Sequence, residues 1–427
     1  MDRARSRRLI LAAAAAGLVL RLAFGLLYWT GKPLTHDERE YLALAQSLRD
    51  GTGLHYPAGH DSGTAPQFGR APGYPAFLAI LDVAGDAPAT PVGVKVAQSA
   101  IGALVVWMIG TITLRAAGPR AGAIAAGLSA VYLPLVWIAA YVLSETLFMP
   151  VALWCVMLLD AAMARADAER SPRGGGALTV AAGLVAGAGI LIRPAMILFL
   201  PIAALWFIRR GRWSLALAFC VAAAVVVAPW TLRNAKEYGR FVLVASEGGV
   251  TFWTGNHPLA VGEGDLAANP AIKEAEVAFR NAHPGSSAEE LEPLYYASAI
   301  SHITDNPGWW MALLARKAFY AFVPVGPSYR LHSRRYFWGS VLPYALLAPL
   351  ALIGLFRLMR RGGAATPLLL LALSVVLTGL IFFPQERFRI PVIDPTVIVC
   401  ASVVLAERAR SRGPRGALSA PAGGRRP

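Results

Sequence analysis

The densest group of reactive side chains in the sequence is His36-Asp37-Glu38-Arg39-Glu40-Tyr41, a few residues beyond an apolar run that ends near Trp29. Adjacent carboxylates at a membrane exit, here Asp37 and Glu38, suit removal of a proton from a hydroxyl or ligation of a cation. They equally suit a solvated loop that caps the helix starting near Arg39. Several arginines complement them: Arg70, Arg193, Arg233, Arg387 and Arg389. Guanidinium forks match phosphate oxygens, although an arginine beside an apolar run also serves as a snorkelling anchor. Glu145, in Ser144-Glu145-x-Leu147-Phe148, reads either as a wall of the same polar cavity or as a charge at a helix N-terminus. Tyr41 and Tyr74 read as cavity lining that contacts sugar or phosphate. His36, His55, His60 and His257 show no HxH or HExxH spacing, so a metal is unassigned.

What positions these groups is a membrane bundle. Of 427 residues, 56% are hydrophobic and 15% charged, against about 25% charged in soluble domains. Apolar runs approach the roughly 20 residues that cross a bilayer. The first, Leu9 to Trp29, reads as a retained span and not a cleaved signal peptide. Arginine clusters separate the runs: Arg3/Arg5/Arg7/Arg8, Arg115/Arg120, Arg165/Arg170/Arg173, Arg209/Arg210/Arg212, Arg357/Arg360/Arg361 and Arg408/Arg410/Arg412/Arg415. Placing each in the cytoplasm requires ten spans, near 9–29, 92–114, 121–138, 143–163, 177–191, 194–208, 213–230, 339–356, 365–383 and 391–406, with both termini inside. The net charge of +15 then belongs to cytoplasmic loops and not to a nucleic-acid surface. Cys155, Cys220 and Cys400 lie in apolar runs and read as small core residues.

The expected fold is an all-α polytopic bundle in four parts. Residues 1–230 hold the first spans and an outward loop, 30–91, with the acidic motif. Residues 231–338 form a second outward segment of soluble and interfacial helices. Residues 339–407 carry the last spans, and 408–427 a disordered cytoplasmic tail. Trp309–Val323 is apolar, but Arg316 and Lys317 at its centre predict an interfacial helix instead of a span. Arg193-Pro194 splits two short apolar segments, as happens where backbone lines a polar cavity.

Several motifs share the outward side of this topology: Asp37-Glu38-x-x-Tyr41, Gly51-x-Gly53, Arg70-x-Pro72-Gly73-Tyr74-Pro75, Ser144-Glu145, Leu191-Ile192-Arg193-Pro194, Pro229-Trp230-x-x-Arg233-Asn234 with Gly255-Asn256, and Gln385-Glu386-Arg387-Phe388-Arg389-x-Pro391. Their order resembles the GT-C glycosyltransferases. Within that class it is most similar to the protein O-mannosyltransferase-like branch, which includes the aminoarabinose transferases of lipid A and the lipopolysaccharide galacturonosyltransferases. The resemblance covers most of residues 10–405. It implies a polyprenyl-phosphate sugar donor, an extracytoplasmic acceptor (lipid, glycan or protein) and an inverting single displacement; the Ala/Arg/Gly-rich usage points separately to a GC-rich bacterial genome and so to an inner membrane. It implies that Asp37 is the base and that Glu38 orients the acceptor or a cation. Arg387 and Arg389 together are assigned to the donor phosphate. A divalent cation is compatible with the resemblance and not required by it. The aromatic residues Phe252, Trp253, Trp309 and Trp310 read as an interfacial belt or as sugar-stacking platforms. A lipid-linked sugar flippase and an oligosaccharide ligase are the competing readings. A flippase places its ionisable groups near the bilayer midplane on related repeats, whereas here they gather at span ends.

Overall fold

The computed structural model describes residues 1–56, 69–169, 174–264, 269–326 and 333–411. His60, Arg170, Arg173 and the tail from Arg412, including Arg415, lie outside them. The described residues are helical throughout, with no strand beyond one isolated bridge between Pro33 and Ala89. Helix α1 (Arg3–Ala23) continues into a π-helical turn to Tyr28. The next segment holds α2 (His36–Arg49) and α3 (Gly73–Ile80). Helix α4 (Val92–Ala117) ends at Gly118, whose positive φ of 91° turns the chain into α5 (Pro119–Val131). Then come α6 (Leu133–Trp137), α7 (Ser144–Ala168), α8 (Gly176–Ile192), α9 (Phe199–Arg209) and α10 (Trp213–Tyr238). A polar unit follows: α11 (Gly248–Gly255), α12 (Pro270–Asn281), α13 (Ala288–Asp305) and α14 (Pro307–Phe322). The chain closes with α15 (Arg334–Arg361), α16 (Thr366–Ile381), the single turn α17 (Glu386–Arg389) and α18 (Ile393–Ser411).

Helices stand at each of the ten apolar positions. Five are long and apolar enough to cross a membrane, and six if α5 and α6, bent by 60°, count as one; 176–192, 194–209 and 366–381 are shorter apolar helices. Large apolar side chains on their outer faces, such as Leu11, Leu27, Trp154, Val225 and Phe356, are exposed, as lipid contact requires. Several helices run past the sequence boundaries: α1 starts at Arg3, α7 ends at Ala168, α10 runs on to Tyr238, α15 spans Arg334–Arg361 and α18 ends at Ser411.

Small residues let the backbones approach. A Cβ on Gly183 would lie 2.4 Å from the Phe219 carbonyl oxygen, and one on Gly187 2.6 Å from that of Ala223, so α8 seats against α10 only through glycine. The α5–α6 break leaves carbonyls without helical partners. Arg21, 1% exposed, reaches across from α1 to donate to Ser129 O (3.3 Å) and Ala130 O (3.4 Å). At the second break, the proline at 194 forces Arg193 into an extended conformation (φ −143°, ψ 111°), and a 3-10 turn, Pro194–Leu198, leads into α9.

The aromatic residues of the polar unit gather around its core. Trp253 is buried with Ile272, Leu291, Tyr295 and Leu313, while Phe252, Trp309 and Trp310 pack against that core. Helix α14 lies along α13 and α16 with Lys317 fully buried, its ammonium donating to Asn256 Oδ1 (2.9 Å) and Leu380 O (3.1 Å).

Candidate active site

The polar residues converge where helices start or break. Helix α2 begins with a capping box, Thr35 with Glu38, which leaves the next turn free to present Asp37, Glu40 and Tyr41 on one face. Arg70 comes from the extended stretch before α3. Ser144 and Glu145 open α7, Arg193 sits at the α8 break, Glu247 precedes α11, and Arg387 lies on α17.

These side chains form a continuous chain of ion pairs. Arg387 donates to Asp37 Oδ2 at 2.5 Å, and Arg70 donates to Asp37 Oδ1 at 2.8 Å. Arg70 also donates through Nε to Glu40 Oε2 at 2.9 Å and lies 3.2 Å from Glu247. Arg387 Nε is 3.9 Å from Glu145 Oε1, whose other partner is Arg193 at 2.8 Å. Arg193 also donates to Ser144 Oγ at 3.0 Å. Aromatic faces support the cations: Arg70 lies over Tyr41, and Arg193 and Arg387 both lie over Phe388, each 5.2 Å from the ring centroid. Burial acting alone would raise the pKa of Asp37. Arg387 and then Arg70 outweigh it and hold the carboxyl well below the usual carboxylate range. Glu40 is lowered too: burial opposes this, and His36 and Arg70 prevail. The Asp37 side chain is 21% exposed and that of Arg387 30%, so this pair is open to solvent, whereas Glu145 is buried.

Of the residues singled out in the sequence, Asp37, Arg70, Glu145, Arg193 and Arg387 meet directly, with Tyr41 bonded to Ser144 at 3.4 Å. Tyr74 stands behind them: it is fully buried, edge-on to Tyr41, and donates to Gln98 Oε1 at 2.9 Å. Three assignments need correction. Glu38 is 2% exposed; one carboxylate oxygen caps α2 through Thr35, and the other accepts from Val142 N at 2.8 Å. Both oxygens are thus engaged in structure, and neither faces an acceptor or a cation. Arg389 parts from Arg387, because two residues along a helical turn put them on different faces. It pairs with Asp394 at 2.8 Å beside the Tyr344 ring. Arg233 is also separate, bonded to Asn234, Tyr238 and His55 and stacked on Trp230. Sequence reading passed over Glu40 and Glu247. The i, i+3 spacing from Asp37 would have put Glu40 on the same face, whereas nothing local marks Glu247.

A cation would need carboxylate oxygens that converge. Those of Asp37 point to two arginines, and no three His, Cys, Asp or Glu side chains among the described residues cluster as metal ligands. Among the described residues the positive charge beside Asp37 is guanidinium.

The sequence matches no protein-family model and no curated protein. Solved structures do match. An Archaeoglobus fulgidus oligosaccharyltransferase tethered to an acceptor peptide aligns over 96% of this chain and 50% of its own, at 15% identity and TM-score 0.57. The archaeal oligosaccharyltransferase AglB from Archaeoglobus fulgidus, in complex with an inhibitory peptide and a dolichol-phosphate, aligns over 96% and 52% at 15% identity and TM-score 0.53. ArnT from Cupriavidus metallidurans, bound to undecaprenyl phosphate, covers 94% and 78% at 14% identity, with a TM-score of 0.42, too loose a fit to argue from. The chain spans about half the length of the oligosaccharyltransferase chains. At these identities the likeness establishes architecture, and the architecture is that of an all-α membrane protein with the GT-C fold.

Proposed function

We propose that the protein is an integral membrane glycosyltransferase that moves a sugar from a polyprenyl-phosphate donor to an acceptor hydroxyl at the extracytoplasmic face. The observation that carries this reading is the Asp37 carboxylate held between Arg70 and Arg387, with Arg193 next along the chain. A base and several phosphate-binding groups lie side by side at the ends of membrane helices. The fold adds support, since AglB, which shares it, has been solved with a dolichol-phosphate. The arginine clusters, read as cytoplasmic, support an outward position for this end of the bundle, and the Ala/Arg/Gly-rich composition supports a bacterial envelope.

In the proposed reaction Asp37 accepts the proton of the acceptor hydroxyl, and the oxygen attacks the anomeric carbon with inversion. The bond from that carbon to the phosphate oxygen breaks, and its electron pair leaves with the lipid phosphate. Arg387, once turned to the phosphate, and Arg193 behind it stabilise that charge, being in place before it develops. Asp37 in the closed chain is a poor base, because two guanidinium groups hold it ionised. The donor phosphate competes for Arg387, and as the arginine turns to it the carboxylate recovers basicity. Donor binding and base activation are thereby one event.

The test is turnover by purified protein in lipid, with a panel of radiolabelled polyprenyl-phosphate sugars and wild type beside Asp37→Asn. Sugar release or transfer by the wild type alone supports the reading. Movement of the intact lipid-linked sugar between leaflets, with no cleavage by either protein, overturns it in favour of a flippase.

A further inference from the structure

The far end of the bundle holds a second concentration of cations. A cavity of ≈ 460 Å³ opens between the start of α1, the ends of α4, α7 and α9, and the turn before α16; Arg3, Arg7, Arg115, Arg210, Asp160 and Asp167 line it. Helix α7 joins the two sites: Glu145 belongs to the ion-pair chain and Asp167 to this cavity, 22 residues and about 33 Å apart at 1.5 Å per residue. The two sites lie at opposite ends of the same helix.

The charges at this cavity are unbalanced. Asp160 is engaged by Arg115 at 2.7 Å, and Asp167 by Arg212 at 2.8 Å, an arginine from outside the lining. Both carboxylates are therefore neutralised, while no ion pair joins Arg3, Arg7 or Arg210 to an acid among the described residues. Like charges that line one concavity repel unless an anion sits among them. The surroundings are those of a lipid. Leu205 and Ile208 on α9, Trp213 after it, and Leu9 and Leu11 on α1 are exposed beside the arginines, so acyl chains have an apolar surface to follow away from the cavity. A free anion would use the arginines alone.

We propose that this cavity binds the phosphate of an anionic phospholipid from the leaflet at that end, with Arg3, Arg7 and Arg210 as its ligands. Basic pockets between membrane helices suit such headgroups, each arginine adding to the attraction. The site is independent of the sugar-transfer reading and stands whether or not that reading does.

Delipidated protein titrated with phosphatidylglycerol, and followed by native mass spectrometry, tests it. Phosphatidylcholine serves as the zwitterionic control and glycerol phosphate as the free anion. Wild type should retain phosphatidylglycerol at least about ten-fold more tightly than the Arg3→Gln/Arg7→Gln/Arg210→Gln variant, while phosphatidylcholine separates the two proteins little. Asp160→Asn should move the other way, because it frees Arg115 and removes a negative charge; tighter binding there cannot come from misfolding. Equal retention of phosphatidylglycerol by wild type and the triple variant, or weaker binding by Asp160→Asn, overturns the proposal. Displacement of the lipid by glycerol phosphate at similar concentration overturns the lipid assignment in favour of a soluble anion.

Discussion

Asp37→Asn should abolish turnover and yet tighten binding of polyprenyl phosphate. The two effects have opposite signs because Asp37 and the phosphate draw on the same arginine. In the closed site Arg387 spends its shortest bond, 2.5 Å, on Asp37 Oδ2. A phosphate on the other side of that guanidinium would sit about 6 Å from the carboxylate. At an effective dielectric of about 20, two unit charges at that distance repel by about 3 kcal/mol. The site is partly open to solvent, with Asp37 21% exposed, so about 1–3 kcal/mol is the working range. That range corresponds to roughly five- to 150-fold tighter binding when the charge is removed. Loss of the base should lower kcat by about 10²–10⁴.

The assay is equilibrium binding of a labelled polyprenyl phosphate to wild type, Asp37→Asn, Arg387→Ala and the double variant. Arg387→Ala should weaken binding by about 1.5–3 kcal/mol, the worth of a charged hydrogen bond. In that background Asp37→Asn should gain less than it does alone, because the direct repulsion is still relieved but no arginine is freed. Unchanged or weaker binding by Asp37→Asn, or the same gain with and without Arg387, would refute the exchange of Arg387 between carboxylate and phosphate.

The same exchange sets the pH dependence. In the free enzyme Asp37 is held low by Arg387 and Arg70 against burial, so kcat/KM should persist below the ordinary carboxylate pKa of about 3.9. With donor bound, the acid limb of kcat should move to higher pH, and coincident limbs would count against the mechanism. Glu38→Ala should cost stability, about 1–3 kcal/mol from the lost cap and the stranded Val142 N–H. Donor KM and kcat of the folded fraction should stay near wild type, and a collapse of kcat at unchanged melting temperature would return Glu38 to the chemistry. Arg389→Ala leaves Asp394 buried without its partner and should destabilise by about 3–5 kcal/mol; weaker donor binding in a protein of normal thermal stability would reinstate the phosphate role. Burial pushes the Lys317 ammonium down to about 7, so the unfolded chain binds the extra proton from there to about 10.5. Stability should therefore rise with pH across that window, and Lys317→Met should flatten the rise, as thermal unfolding at several pH values would reveal.

The sequence carried more of this site than its distances suggest. Asp37 and Arg387 are 350 residues apart, yet both stood out because charged residues at span ends are rarely needed for insertion. The fold was legible for the same reason: hydropathy and arginine placement set the helices independently of any packing detail. The errors follow from helical geometry. Successive residues point about 100° apart on a helix, and here that step turns Glu38 towards Thr35 and Val142 while Asp37 meets the arginines. Thr35-x-x-Glu38 is itself a capping signature, and it identifies Glu38 as the structural member of the pair. The same geometry separates Arg387 from Arg389. Arg70 with Glu247 could not be read from any spacing, since their meeting depends on where the polar unit settles on the bundle.

The position of the cluster also explains why it can change partners. Each of its charged groups sits at an interruption: Asp37 and Glu40 in the first turns of α2, Glu145 at the start of α7, Arg193 at a proline break, Arg387 on a single turn between two spans. Where a charge is buried in the bundle it must find permanent partners, as Arg389 does with Asp394 and Arg21 with the carbonyls of α5. Removing either partner there leaves an unpaired buried group, and the pair is fixed for that reason. At an interruption, water and lipid phosphate are within reach, and a guanidinium can exchange one oxygen partner for another at little cost. Arg387, more exposed than Arg70 or Arg193, is the one placed to do so.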